Sequence, residues 1–184
     1  MILALAGRRI DAPDAPDQRF PLQCVPLVRE RLRTALRELG AQALVCAAAC
    51  GADLIALSVA EELGVRRHIV LPSAVADFRA HSVADRPGDW NGLFDRLIVE
   101  ARSTGDLELL DLRVTGSAAY LQTNVAILDR ASTMARDTAG AMAALAVWDG
   151  ALTGRTDYTQ DFVEAARRRG ISVRTIGIRK DDLA

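Results

Sequence analysis

Short, uninterrupted apolar runs recur along this chain at Ile2 to Ala6, Ala43 to Ala47 and Ala143 to Trp148, with a related run from His68 to Leu71 closed by Pro72. Runs of this length without polar interruption read as strands buried on both faces, which is the habit of parallel sheets covered by helices on each side. The segments between them carry helical period. Val25, Val28, Leu32, Leu36 and Leu39 recur at steps of three and four, opposite Arg29, Glu30, Arg33, Arg37 and Glu38, and Gly40 supplies the stop. Asp53 to Leu63 repeats the pattern and ends at Gly64. Strands joined by connections long enough to hold a helix pair in parallel, because a tight hairpin cannot return the chain in the same direction.

The remaining elements follow the same grammar. Helices are expected over Ala74 to Val83, Leu93 to Ala101, Ala118 to Arg136 and Tyr158 to Arg169, the third on the spacing of Leu121, Val125, Leu128 and Ala135, the fourth stopped by Gly170. Further strands are expected at Leu107 to Leu112 and Ser172 to Ile176, with a Pro- and Asp-rich connection from Asp11 to Pro21 and a loop at DRPGDW. The fold class is α/β, a Rossmann-like three-layer αβα arrangement with a mostly parallel central sheet. The chain has 184 residues, without a repeat, a low-complexity segment or an interdomain linker, so residues 1–184 are expected to form one domain.

Charge and cysteine content narrow the function classes. The 23 basic and 24 acidic residues leave a formal charge of -1, which argues against a protein that grips nucleic acid along many phosphates. Half the residues are hydrophobic but only 4% aromatic, so the core is built from Ala, Val, Leu and Ile. Cys24, Cys46 and Cys50 lack paired zinc spacing, and the N-terminus has no signal-like stretch, which fits a reducing cytoplasm. No apolar run approaches the roughly 18 to 20 residues of a membrane span. Neither a membrane partner nor a metal or cofactor is expected.

Ligands of open parallel sheets sit outside the carboxyl ends of the strands, so the residues after each apolar run are the candidates. After the first run, Gly7 permits close approach, and Arg8 and Arg9 offer guanidiniums to phosphate or carboxylate; the alternative is a turn with solvated arginines. After the second, Ala47-Ala48-Ala49-Cys50-Gly51-Ala52-Asp53 leads directly into a helix, where free N–H groups and small side chains suit an anion. Asp53 either stabilises the helix start or accepts hydrogen bonds from a ribose, and the small residues also suit tight helix-to-sheet packing. Cys50 at that position has the setting for a lowered pKa, against the alternative of a buried small residue. After the third run, Arg79 and Ser82 share one side of a short helix, Arg79 being either a ligand arginine or half of a surface salt bridge. After the run ending at Trp148 comes Asp149-Gly150-Ala151-Leu152-Thr153-Gly154-Arg155-Thr156-Asp157. Gly150 and Gly154 give φ freedom and Thr156 a hydroxyl donor for a phosphate or ribose pocket, the alternative being a loop with Thr156 as helix N-cap. His68 and His81 lack a third partner for a metal, and Arg167 to Arg169 read as the wet face of the last helix.

The Gly7 turn, AAACGADLIALSVAEELGVRRHIVLP, DFRAHSV and VWDGALTGRTDYTQDFVEAARRRGISV, taken in that order from about residue 2 to residue 176, resemble the SLOG superfamily. That superfamily groups Rossmann-like domains of the Lonely Guy phosphoribohydrolases with relatives of DNA processing protein A and sensor domains of bacterial conflict systems. The resemblance implies a nucleotide or nucleotide derivative bound at the carboxyl edge of the sheet, and commonly a homodimer. It assigns ligand contacts to Ala49, Cys50, Gly51 and Asp53 and to Gly150, Gly154 and Thr156.

The hydrolase branch has a glutamate three residues beyond its Gly-Thr; here Arg155 separates Gly154 from Thr156, and that position is Thr159. The expectation is therefore a ligand-binding or sensing domain without turnover. The alternative is a nucleosidase or phosphoribohydrolase, with Asp53, Asp157 or Asp161 as its carboxylate and Arg8 or Arg79 as phosphate clamp. A DNA-binding relative is disfavoured by the near-neutral charge and low aromatic content.

Overall fold

The computed structural model describes residues 1–112, 116–150 and 157–179. Six strands form one sheet: β1 (Ile2–Gly7), β2 (Ala43–Cys46), β3 (Arg66–Leu71), β4 (Leu107–Leu109), β5 (Met142–Val147) and β6 (Val173–Ile176). Their order across the sheet is β4-β3-β2-β1-β5-β6, and every neighbouring pair is parallel. The helices are α1 (Val25–Glu38), α2 (Ala52–Glu62), α3 (Val75–Ser82), α4 (Asn91–Thr104), α5 (Ser117–Asp137) and α6 (Tyr158–Arg168). Among the described residues, no helix is long and apolar enough to cross a membrane.

Although the central strands are apolar throughout, their two faces differ in size. Leu3 and Leu5 of β1, Leu44 of β2 and Leu145 and Val147 of β5 point into one layer with α1 to α4; Ala4, Ala6, Val45 and Ala144 point into the other, with α5 and α6. Alternation of side chains along a strand produces this division. The alanine-rich face lets α5 lie close, and its buried stripe is correspondingly compact: Ala119, Thr123, Ile127, Leu128, Ala131 and Ala135. That corrects the helical spacing expected from Leu121 and Val125, which are 38% and 43% exposed. The strand expected at Leu107 to Leu112 is likewise shorter, since β4 is an edge strand with partly exposed side chains.

At the end of β1, Gly7 sits where three elements meet. A Cβ there would lie 2.4 Å from Cβ of Ala52, the first residue of α2, and 2.8 Å from Cβ of Val147 in β5. The missing side chain is thus the clearance that brings α2 and β5 against β1. Gly7→Ala should lower stability by ~1–3 kcal/mol, the usual cost of overpacking a tight site. Urea unfolding of the two proteins checks this; equal midpoints would show that the contact relaxes freely.

Candidate functional site

From β1 the chain builds outward through β2, β3 and β4, then returns to place β5 and β6 on the other side of β1. The reversal falls between β1 and β5, and in open α/β sheets the crevice outside the carboxyl ends at such a point is where ligands bind. A cleft of about 790 Å³ lies there. Its floor is the end of β1, its sides are the turn after β2 and the start of α6, and the connection between Arg8 and Arg19 contributes a further wall, as does α5 through Tyr120, Thr123, Asn124 and Ile127.

The turn after β2 is organised by its own backbone. Gly51 adopts φ 103° and ψ -126°, a region essentially reserved for glycine, and forms an antiparallel bridge with Arg9. A Cβ on Gly51 would stand 2.8 Å from both the Arg8 carbonyl oxygen and the Ile10 nitrogen. The Ala52 N–H donates to Arg8 O at 3.1 Å, Cys50 N–H to Ser82 O at 2.9 Å and Leu54 N–H to Ala49 O at 3.3 Å. Several N–H groups on which a helix-start anion site would depend are therefore already engaged.

Asp53 projects from the first turn of α2 and lines the cleft, although the residue is only 6% exposed. Its Oδ2 accepts the Ala49 N–H at 3.1 Å. Burial raises its pKa to about 7, against the opposing pull of that N–H and of Arg9. Near neutral pH this carboxyl is poised between donor and acceptor. Cys50 points into the core, and burial raises its thiol pKa, the reverse of the lowered value that its place at a helix start suggested.

Across the cleft, four side chains lock together. Arg19 forks onto Asp149, with Nε to Oδ2 and Nη2 to Oδ1 both at 2.6 Å, and its Nη1 lies 3.1 Å from Asp157 Oδ2. Arg8 Nη1 donates to the same Asp157 oxygen at 2.9 Å. Asp157 Oδ1 meanwhile accepts the N–H groups of Thr159 and Gln160 at 3.0 and 3.2 Å, capping α6. The N-cap is thus Asp157, one residue beyond Thr156. Burial, then the adjacent Arg19 charge, lower the pKa of Arg8, while the hydrogen bonds to Asp149 are the main cause of the raised pKa of Arg19.

Two tyrosines complete the wall. The rings of Tyr120 and Tyr158 lie 5.0 Å apart between centroids, at 33°. Tyr158 OH donates to Ser117 Oγ at 2.7 Å, Tyr120 OH lies 3.3 Å from Ser82 Oγ, and Asn124 Nδ2 donates to Tyr158 O at 2.8 Å.

Of the residues expected at the site, Gly7, Arg8, Ala49 and Asp53 line the cleft, as does Asp157. Cys50 and Gly51 adjoin it, one turned to the core and the other holding the β1 turn. Arg79 lies on α3 in an ion pair with Asp95, its Nε 2.8 Å from Oδ1. The surface salt bridge is therefore the reading the structure favours for it, and it does not line the cleft among the described residues. Gly150 has φ 74° and also stands outside the lining; Gly154 and Thr156 lie outside the described residues. His68 is buried at the β3–β4 edge, 3.3 Å from Asp106, while His81 is exposed on α3. No group of three or more His, Cys, Asp or Glu is placed to hold a metal among the described residues. Sequence reasoning missed Arg19, Arg86, Tyr120 and Tyr158. The two tyrosines are the chain's entire complement, and that scarcity was the available signal.

No family model matches this chain, and no curated protein does. Among solved structures it is similar to the X-ray structure of DNA processing protein A from Streptococcus pneumoniae, at 13% identity and a TM-score of 0.43. The match covers 94% of this chain and 57% of that one, so this chain spans little more than half the length of its neighbour.

Asp53 makes a pH prediction. Its folded pKa of about 7 exceeds the ordinary 3.8, so between these values the folded state binds more protons than the unfolded one. Stability should fall as pH rises through that window and level off above it. Asp53→Asn should flatten this decline, read from urea midpoints at pH 5 and pH 8. An unchanged decline in the variant would show that Asp53 ionises without penalty.

Proposed function

We propose that this chain binds a nucleotide-derived small molecule in the switch-point cleft, without turning it over. The observation that carries the reading is convergence: a tyrosine pair, a buried carboxyl and several guanidiniums face one cleft at the reversal between β1 and β5. Aromatic faces suit a base, a carboxyl suits sugar hydroxyls, and guanidiniums suit phosphate. The resemblance of the strand-end motifs to the SLOG superfamily supports the same ligand class. Thr159, standing where the hydrolase branch carries its glutamate, favours binding over cleavage. The reading extends to a bacterial cytoplasmic protein acting as a homodimer.

Asp53 supports a second reading, a nucleosidase. With its pKa near 7, it is well matched to deliver a proton to a departing base at neutral pH.

A thermal-shift screen against nucleoside monophosphates, ADP-ribose, NAD and cyclic nucleotides tests both, with chromatography of every hit. Ligand at one hundred times its Kd stabilises the folded state by about 2.7 kcal/mol, enough for a clear rise in Tm. The expected result is a stabilising ligand recovered intact. Base release that disappears in Asp53→Asn would replace the binding reading with the enzyme, and a flat response to the whole panel would refute the nucleotide reading.

A further inference from the structure

The two arginines that follow Gly7 point in opposite directions. Successive side chains of extended backbone alternate, so the Arg8-Arg9 pair straddles the crevice. Arg8 reaches Asp157 at the start of α6, whereas Arg9 reaches Asp85, just beyond α3, and bridges Gly51 through its backbone. Among the described residues, the carboxylates on the two sides differ in burial, Asp149 and Asp157 being largely buried and Asp85 partly exposed. On the β5 side, Arg8 and Arg19 face Asp149 and Asp157 among the described residues.

On the β2 side, Arg9 and Arg86 share Asp85, Arg86 Nη1 lying 3.8 Å from its Oδ2. All three groups act on the buried Cys50 thiol, which locates them together beside the start of α2. The Nε groups of Arg9 and Arg86 are buried without a hydrogen-bond partner, and both residues line the cleft. Arg8 Nε is also unpartnered; the end of that guanidinium is tied to the buried Asp157, whereas the end of Arg9 is tied to the partly exposed Asp85. Asp53, whose burial raises its proton affinity, is a further carboxyl near Arg9, and Asp14 and Asp17 also line the cleft. Asp11 is turned to its own loop, accepting the Phe20 N–H at 2.8 Å.

We propose that Arg9 and Arg86 form the phosphate subsite of the cleft, between the β1 turn and the segment after α3, and that Arg8 and Arg19 are structural. The proposal rests on the nucleotide reading above and assigns the charge recognition within it. An incoming phosphate supplies acceptors for the two unpartnered Nε groups and competes only with the partly exposed Asp85 that the two guanidiniums share. The uncharged part of the ligand then lies toward Asp53 and the tyrosines.

Calorimetric titration of the intact chain with AMP and with adenosine tests this, in the wild type and in Arg86→Gln, Arg9→Gln and Arg86→Lys, each checked for an unchanged circular dichroism spectrum. The wild type should bind AMP at least about tenfold more tightly than adenosine, as charge-assisted hydrogen bonds to phosphate require. Either glutamine variant should bring AMP down to the adenosine level while leaving adenosine unchanged, and Arg86→Lys should retain part of the preference. An AMP-to-adenosine ratio that survives both glutamine variants overturns the proposal. If neither compound binds the wild type, inorganic phosphate decides. Stabilisation by phosphate that is lost in Arg86→Gln keeps the subsite while the nucleotide reading falls, and no stabilisation overturns the subsite as well.

Discussion

The architecture depends on the pairing of β1 with β2 on one side and β5 on the other. That double pairing makes β1 the centre of the sheet and the place where strand order reverses. It also requires three backbones to converge at the carboxyl end of β1, which is possible because Gly7 has no side chain and Gly51 accepts a conformation closed to other residues. Two glycines that look like ligand-contact residues are therefore first of all packing residues. The cleft exists because the turns around them are held in place.

This changes what kind of recognition the cleft supports. A helix start binds an anion through free N–H groups. At α2 several of those groups are engaged by the carbonyls of Arg8, Ser82 and Ala49, and Asp53 holds the Ala49 N–H. At α6, Asp157 caps the helix with its own carboxylate. With these N–H groups engaged by the protein itself, arginine side chains are the further donors that the described residues offer to the proposed anionic ligand. Arginine suits that role because its charge persists on burial and its donors are fixed in a fork.

The sheet was legible in the sequence because its central strands are apolar throughout and the intervening helices end at glycines. Gly40, Gly64 and Gly170 all take positive φ at those stops. What was not legible followed from contacts between distant segments. Leu121 and Val125 fit a helical stripe, but the alanine face of the sheet selected a different one, with Ala119, Thr123 and Ile127 inward. Arg79 and Arg8 were equivalent in sequence, each after a strand; one met Asp95 on the surface and the other Asp157 in the crevice. Arg19 sits in a connection without period, and its partners are 130 residues or more away. Asp53 was placed correctly at a helix start, but its high proton affinity comes from a burial that sequence does not show.

The burial of their ion pairs gives the two sides of the crevice different mechanical roles. Arg19 ties the connection after β1 to Asp149 and Asp157, so displacing it would break ion pairs with two largely buried carboxylates, a cost that grows with burial. That side resists rearrangement. The Asp85 side is held by a partly exposed carboxylate, so rearranging it breaks weaker, better-solvated contacts. A cleft held by buried ion pairs on one side and by better-solvated ones on the other can admit an anionic ligand without surrendering the contacts that define its shape. On the proposed reading, the ligand's charge goes to the side whose carboxylate is the better solvated, and its uncharged part to the wall of tyrosines.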